Sequence, residues 1–178
     1  RQWSADEALK GLKALATGPS REKIQILYFN ENNLEIIPAE ITNMKKLGLM
    51  NFASNKIKKI ETAWGTDIKP VQLYLDNNQL SEFPVNEDGV FCYVEDAETF
   101  SVKRNNFTVF PDIFDAESLY AVVSIDFSFN HISKNINSCA VISLFRIFHN
   151  IFVAVRPYNN FHIFNCTRRK FRHIYFIA

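Results

Sequence analysis

Cysteine is scarce in this chain. Cys92, Cys139 and Cys166 are the whole supply in 178 residues. Three thiols make no disulfide framework and no paired-Cys cap, so a fold stapled by disulfides is excluded. Histidine is also thin. His131 is the single one before residue 134, and one His with no paired Cys or poised Ser reads as a turn residue, not a catalytic group. Cys139, His149, His162, Cys166 and His173 fit no zinc spacing. The chain opens at Arg1 with neither Met nor a signal-like apolar run, and is expected to be a processed product or a fragment.

Acidic residues are missing from the last quarter. All 19 lie in 1–133 with 13 of the basic residues, a balance of −6, whereas 134–178 holds seven basic residues and no acid, a balance of +7. The overall charge of +1 therefore hides a step, and such a step marks a boundary. An apolar fraction of 47% over this length suffices for one domain with a real core.

What is present is a repeat. Its first turn is Ile24-Gln-Ile-Leu-Tyr-Phe-Asn-Glu-Asn32-Asn-Leu34-Glu-Ile-Ile37-Pro38. Apolar residues stand at positions 1, 4 and 6, Asn at 9, apolar residues at 11 and 14, and often Pro at 15. Four more copies start at Leu47, Pro70, Ala97 and Val122, giving periods of 23, 23, 27 and 25 residues by subtraction. The ninth-position residues are Asn32, Asn55, Asn78, Asn105 and Asn130. An amide there carries both donor and acceptor, so it can pair main-chain groups that a buried turn would otherwise strand, and stacked turns should form a ladder. Repeats of about 20–29 residues with this spacing are those of leucine-rich-repeat solenoids.

The quoted residues, with Ile37-Pro38, Phe83-Pro84 and Phe110-Pro111 after the Asn turn, resemble the leucine-rich repeat superfamily over about residues 24–133. The longer Phe-rich later repeats look like bacterial secreted or surface versions. The resemblance implies an α/β horseshoe solenoid with a concave parallel sheet. It implies a family that mostly binds ligands without enzymatic activity, and a secreted or cell-surface location with the cytoplasm as the alternative.

Residues 1–20 read as a capping helix and linker. Ser4 and Glu7 form a capping-box pair, and Ala8, Leu9, Leu12 and Leu15 share one face. Thr17-Gly18-Pro19-Ser20 ends the helix, and Trp3 is placed to help cover the open core end. Residues 21–133 hold the five repeats. Trp64 takes the convex-side place that Ile41 holds one repeat earlier. The excess of the third repeat, 84–99, is expected as a solvated acidic loop turning at Gly89. Its spacing fails the calcium-loop pattern, and Cys92 within it is expected to be a packing residue.

Residues 134–178 form a divergent, basic, Phe-rich tail. One frame on Ile142, Phe145, Ile147, Asn150 and Phe152 would make a degenerate sixth repeat. Cys139 to Val155 is apolar, but Arg146, His149 and Asn150 near its centre speak against a membrane span. The preferred reading is that the tail is not the native continuation, since a shifted reading frame of an AT-rich gene would give such a composition. The basic run Thr167–His173 is weak ground for nucleic-acid binding, and none is expected. The triplets at Asn106 and Asn165 match a glycosylation acceptor, a pattern that chance often supplies.

Outward-facing strand positions should line the concave face. Position 3 gives Ile26, Leu49, Gln72, Thr99 and Ser124. Position 5 gives Tyr28, Asn51, Tyr74, Ser101 and Asp126. Position 7 gives Asn30, Ala53, Asp76, Lys103 and Ser128. Tyr28 and Tyr74 with Ile26 and Leu49 make an aromatic and aliphatic patch suited to anchoring a partner. The expected function is recognition of a protein ligand by this face, with no cofactor and no metal. A glycan is the nearest variant. The recognition half of a larger ligase or kinase, or a surface protein touching membrane through a genuine tail, are the alternatives.

Overall fold

Five three-residue strands occupy positions 3 to 5 of the five repeats. They are β1 (Ile26–Tyr28), β3 (Leu49–Asn51), β5 (Gln72–Tyr74), β6 (Thr99–Ser101) and β7 (Ser124–Asp126). The structure is a computed structural model that describes residues 3–93, 97–109, 111 and 124–132, with the strand backbones of 152–155 and 162–165. The strands pair in parallel and in register, so Ile26, Leu49, Gln72, Thr99 and Ser124 lie in one row across the sheet. Tyr28, Asn51, Tyr74, Ser101 and Asp126 lie in the next. Between the rows, Leu27, Met50, Leu73, Phe100 and Ile125 point inward and are buried. Period-two alternation makes one face core and the other concave surface.

Two short strands behind the Asn turns, β2 (Ile36–Ile37) and β4 (Lys59–Ile60), form a second parallel pair. The concave sheet goes on with β8 (Phe152–Val155), parallel to β7, and β9 (His162–Asn165), antiparallel to β8. The described residues meet the sixth-repeat frame at one point only, Phe152. A strand in that frame would fall at 144–146, whereas β8 begins at Phe152, the frame's eleventh position, and the rest of the frame lies outside the described residues. The basic run Thr167–His173 lies outside them too.

The asparagines form the ladder. In the second to fifth repeats, each Oδ1 accepts from the main-chain N–H at position 11 of the repeat before: Leu34, Ile57, Leu80 and Phe107, at 2.9–3.1 Å. Each Nδ2 donates to the position-6 carbonyl of its own repeat and to that of the repeat before. Asn78, for example, reaches Leu75 at 3.0 Å and Phe52 at 3.0 Å. Asn32 has no earlier repeat to reach and donates only within its own turn, to the carbonyls of Phe29 and Asn30.

Just before each ladder residue the backbone turns left-handed. Glu31, Ser54, Asn77, Arg104 and Phe129 all have φ between 52° and 58°. None is glycine, so each carries a steric cost of about 1–2 kcal/mol. The turn gains in return an N–H aimed at the next repeat, as Ser54 N donates to Asp76 O at 2.9 Å and Asn77 N to Lys103 O at 2.8 Å.

Helix α1 (Ala5–Thr17) closes the first end, with both halves of the Ser4–Glu7 capping box formed. Its buried face is Ala8, Leu12 and Ala16. Leu15, expected on that face, is 43% exposed, because the i, i+4, i+8 row from Ala8 runs through Ala16 and leaves Leu15 to one side. Lys13 pairs with Glu40 at 2.9 Å and ties the helix to the first repeat. This hydrogen bond raises the Lys13 pKa and lowers that of Glu40. Trp3 folds back over Gly11, where a Cβ would lie 2.5 Å from the indole ring, and meets Phe29 edge-on.

The insertion of the third repeat is only partly the solvated loop expected from its acids. Asn86 Oδ1 accepts from the N–H groups of Asp88 and Val90, and Gly89 turns at φ 78°, as expected. Phe91 and Cys92 then return to the core. Phe91 O accepts from Trp64 N at 2.7 Å, and its ring lies 4.8 Å from that of Trp64 and 4.7 Å from that of Phe83. Trp64 is buried on the convex side, and burial of the Cys92 thiol pushes its pKa up, away from thiolate chemistry.

Two predictions follow from the turns. Asn78→Ala strands the Ile57 N–H and weakens pairing at the Phe52 and Leu75 carbonyls, and should lower the urea unfolding free energy by about 3 kcal/mol or more. Asn32→Ala should cost less than half as much. At Ser54, glycine should be more stable than alanine by about 1 kcal/mol, because only alanine retains the left-handed penalty.

Candidate interaction face

The concave rows differ sharply from one end of the sheet to the other. At the β1 end stand Ile26, 57% exposed, and Tyr28, 66% exposed, the two highest values among the described large hydrophobic residues. Leu49 and Tyr74 continue this patch as half-buried neighbours, with Asn51 between the two tyrosines. Rows in a sheet step by about 4.8 Å per strand, which sets Tyr28 and Tyr74 roughly 10 Å apart. Asn30 and Gln72 border the patch and are half-buried.

Toward β7 the face becomes polar and internally bonded. Asp76 Oδ1 accepts from the Ser101 hydroxyl at 2.6 Å and from the Lys103 main-chain N–H at 2.8 Å. Asp126 Oδ1 accepts from the Ser128 N–H at 2.9 Å and its hydroxyl at 2.6 Å, while Asp126 Oδ2 lies 3.5 Å from Lys103 Nζ. Gln72 donates to Glu98 at 3.2 Å, and Arg104 sits 5.0 Å over the Phe129 ring. Thr99 and Ser124 are half-buried beside these groups.

The expected face residues therefore share one sheet face but not one role. Ser101 belongs to the outward row, yet it is only 3% exposed, and Ser128 is buried as well. This corrects the expectation that Ser101 offers itself to a ligand and that Ser128 stands outward on the face. Each short hydroxyl side chain lies down onto an aspartate, and neither stands up from the sheet. Asp76 through one oxygen and Asp126 through both are likewise part of the scaffold. Sequence spacing located these residues and could not show their mutual bonds, which depend on register between repeats. Trp3 was expected only as a cover; it is also exposed at the β1 end, a placement set by Gly11 eight residues on.

No group of three His, Cys, Asp or Glu that could hold a metal ion occurs among the described residues. No helix among them is long and apolar enough to cross a membrane.

A curved parallel sheet of one short strand per repeat, stitched by a buried asparagine ladder and closed by a helix, is a leucine-rich-repeat solenoid. The comparisons agree. A leucine-rich repeat protein from Bacteroides eggerthii DSM 20697 is 38% identical with a TM-score of 0.63, over 71% of this chain and 20% of that one. One from Bacteroides thetaiotaomicron VPI-5482 is 35% identical with a TM-score of 0.63, over 76% of this chain and 17% of that one. The chain is a leucine-rich-repeat-type protein resembling these bacterial proteins, and it spans about a fifth of their length or less. No family model and no curated protein matches it.

The bonded half of the face yields a prediction. Asp76→Ala leaves the covered Ser101 hydroxyl and the Lys103 amide unpaired and should cost about 2 kcal/mol of stability. Gln72→Ala, on the same face with one exposed bond, should stay within about 0.5 kcal/mol of wild type in the same urea titration.

Proposed function

We propose that the protein is a non-enzymatic recognition module that binds a protein partner through the concave face. The observation that carries this is the Ile26–Tyr28–Leu49–Tyr74 patch, apolar and open, on a sheet whose register is fixed by buried hydrogen bonds. Large rigid aromatic side chains lose little conformational freedom on binding, and a preorganised face keeps the ordering cost low. The repeat fold supports the interaction class, and the Bacteroides neighbours support the same class.

A photo-crosslinking residue placed at Tyr74 should capture a partner that the same residue placed at the exposed, convex-side Lys59 does not. With that partner in hand, Tyr28→Ala and Tyr74→Ala should each weaken binding by about 1 kcal/mol or more. An unchanged affinity in the double variant, with the fold intact by circular dichroism, assigns binding elsewhere. Capture of a glycan and no protein on a mixed ligand array overturns the partner class.

A further inference from the structure

The free edge of the concave sheet is a separate feature from its face. β1 is the terminal strand, paired with β3 on one side only. Its odd-numbered residues bond toward β3. Gln25 O accepts from Gly48 N and Leu49 N, Phe29 N donates to Asn51 O, and Glu31 N donates to Ala53 O. Successive main-chain groups alternate across a strand, so the N–H and C=O groups of Ile26 and Tyr28 point the other way. They find no hydrogen-bond partner among the described residues.

Helix α1 does not remove this edge. It buries Ala8, Leu12 and Ala16 against the core, yet Leu27 and Phe29 keep 7% and 6% exposure where Met50, Phe52, Leu73 and Leu75 keep none. The first end is thus short of cover along β1 itself. Beside it stand Ile26 and Tyr28 above the sheet, with Trp3, also exposed, against Phe29. An unpaired ladder flanked by apolar side chains is a template for another strand.

We propose that β1 captures an extended segment of a partner protein by strand addition. Its chemistry follows from the edge. The main chain pairs with Ile26 and Tyr28. Alternate side chains on the core side are aliphatic or aromatic, completing the cover of Leu27 and Phe29, and those on the concave side are uncharged, stacking beside Ile26 and Tyr28. A second copy of this chain is the weaker occupant. Edge to edge, two copies would pair only three residues a side, whereas a flexible segment can also pass over Trp3.

The chain's own third strand supplies a probe, because Met50 and Phe52 already make these contacts from the other side. Residues 1–178 are titrated with the end-capped peptide Gly-Leu-Met-Asn-Phe-Ala, the sequence of 48–53, and amide hydrogen exchange and sedimentation are followed. The peptide should slow exchange at the Ile26 and Tyr28 amides at least tenfold and leave Tyr74 and Asp126 unchanged. Proline in place of the peptide's Met, or Ile26→Lys in the exposed edge of the protein, should abolish the effect. Tyr74→Ala should not, which separates this site from the concave face. Unchanged exchange at Ile26 and Tyr28 overturns the proposal. So does protection of these amides in the free chain that rises with its concentration, which would assign the edge to a second copy.

Discussion

The buried asparagine amide at the ninth position of each repeat is the interaction on which the structure depends. A solenoid turn must take its main chain through the interior, where water cannot pair it, and an unpaired buried group costs about as much as a lost hydrogen bond. One amide side chain serves three main-chain groups on two successive turns, as at Asn105, which bonds Leu80, Leu75 and Val102. The same bonds lock neighbouring repeats in register, since a slip by one residue would break them and turn every core residue outward. Stability and alignment of the concave face thus have one source.

That alignment determines what the face can be. Its side chains stand in rows on short strands, each strand pinned to the next, so the surface has little freedom to adapt. At the polar end the fixed geometry is spent internally: the aspartates hold Ser101, Lys103 and Ser128 and stiffen the sheet. At the β1 end nothing comparable covers Ile26 and Tyr28. The division between a bonded half and an open half arises from which residue types fall in the same rows. Apolar and aromatic residues in the first three repeats leave a patch, and hydroxyl–carboxylate pairs from the third repeat onward leave a network.

The repeat frame was legible because its signal is redundant. Five asparagines at fixed distances from apolar residues can be recognised even when the period drifts from 23 to 27. The capping box was legible for a similar reason, being two residue types at one spacing. Three features were not. The left-handed position is filled by Glu31, Ser54, Asn77, Arg104 and Phe129, which share no chemistry. Only the turn they must complete selects their conformation. The covering of Ser101 depends on Asp76 in the adjacent repeat, a contact that register creates and composition hides. The insertion at 84–99 shows five acids to a reader of composition; Cys92 packs as its type suggests, but nothing in the sequence signals that Phe91 beside it returns to Trp64 and Phe83 in the core.

A parallel solenoid leaves two different problems at its ends: an open core, and an open hydrogen-bond ladder. Helix α1 answers the first, since a helix can shed apolar side chains onto a core but has already used its own main-chain groups. It cannot pair the outer groups of β1, whatever its packing. At the far side of the sheet the chain uses another device, with β9 returning antiparallel on β8 so that strand meets strand. The contrast between these two ends is what singles out β1. Where a strand pairs the ladder, the edge is moved outward onto the new strand. Where a helix stands in its place, the core is covered except along Leu27 and Phe29 and the ladder is left available, and a partner segment that extends beside Ile26 and Tyr28 meets donors and acceptors already held in line.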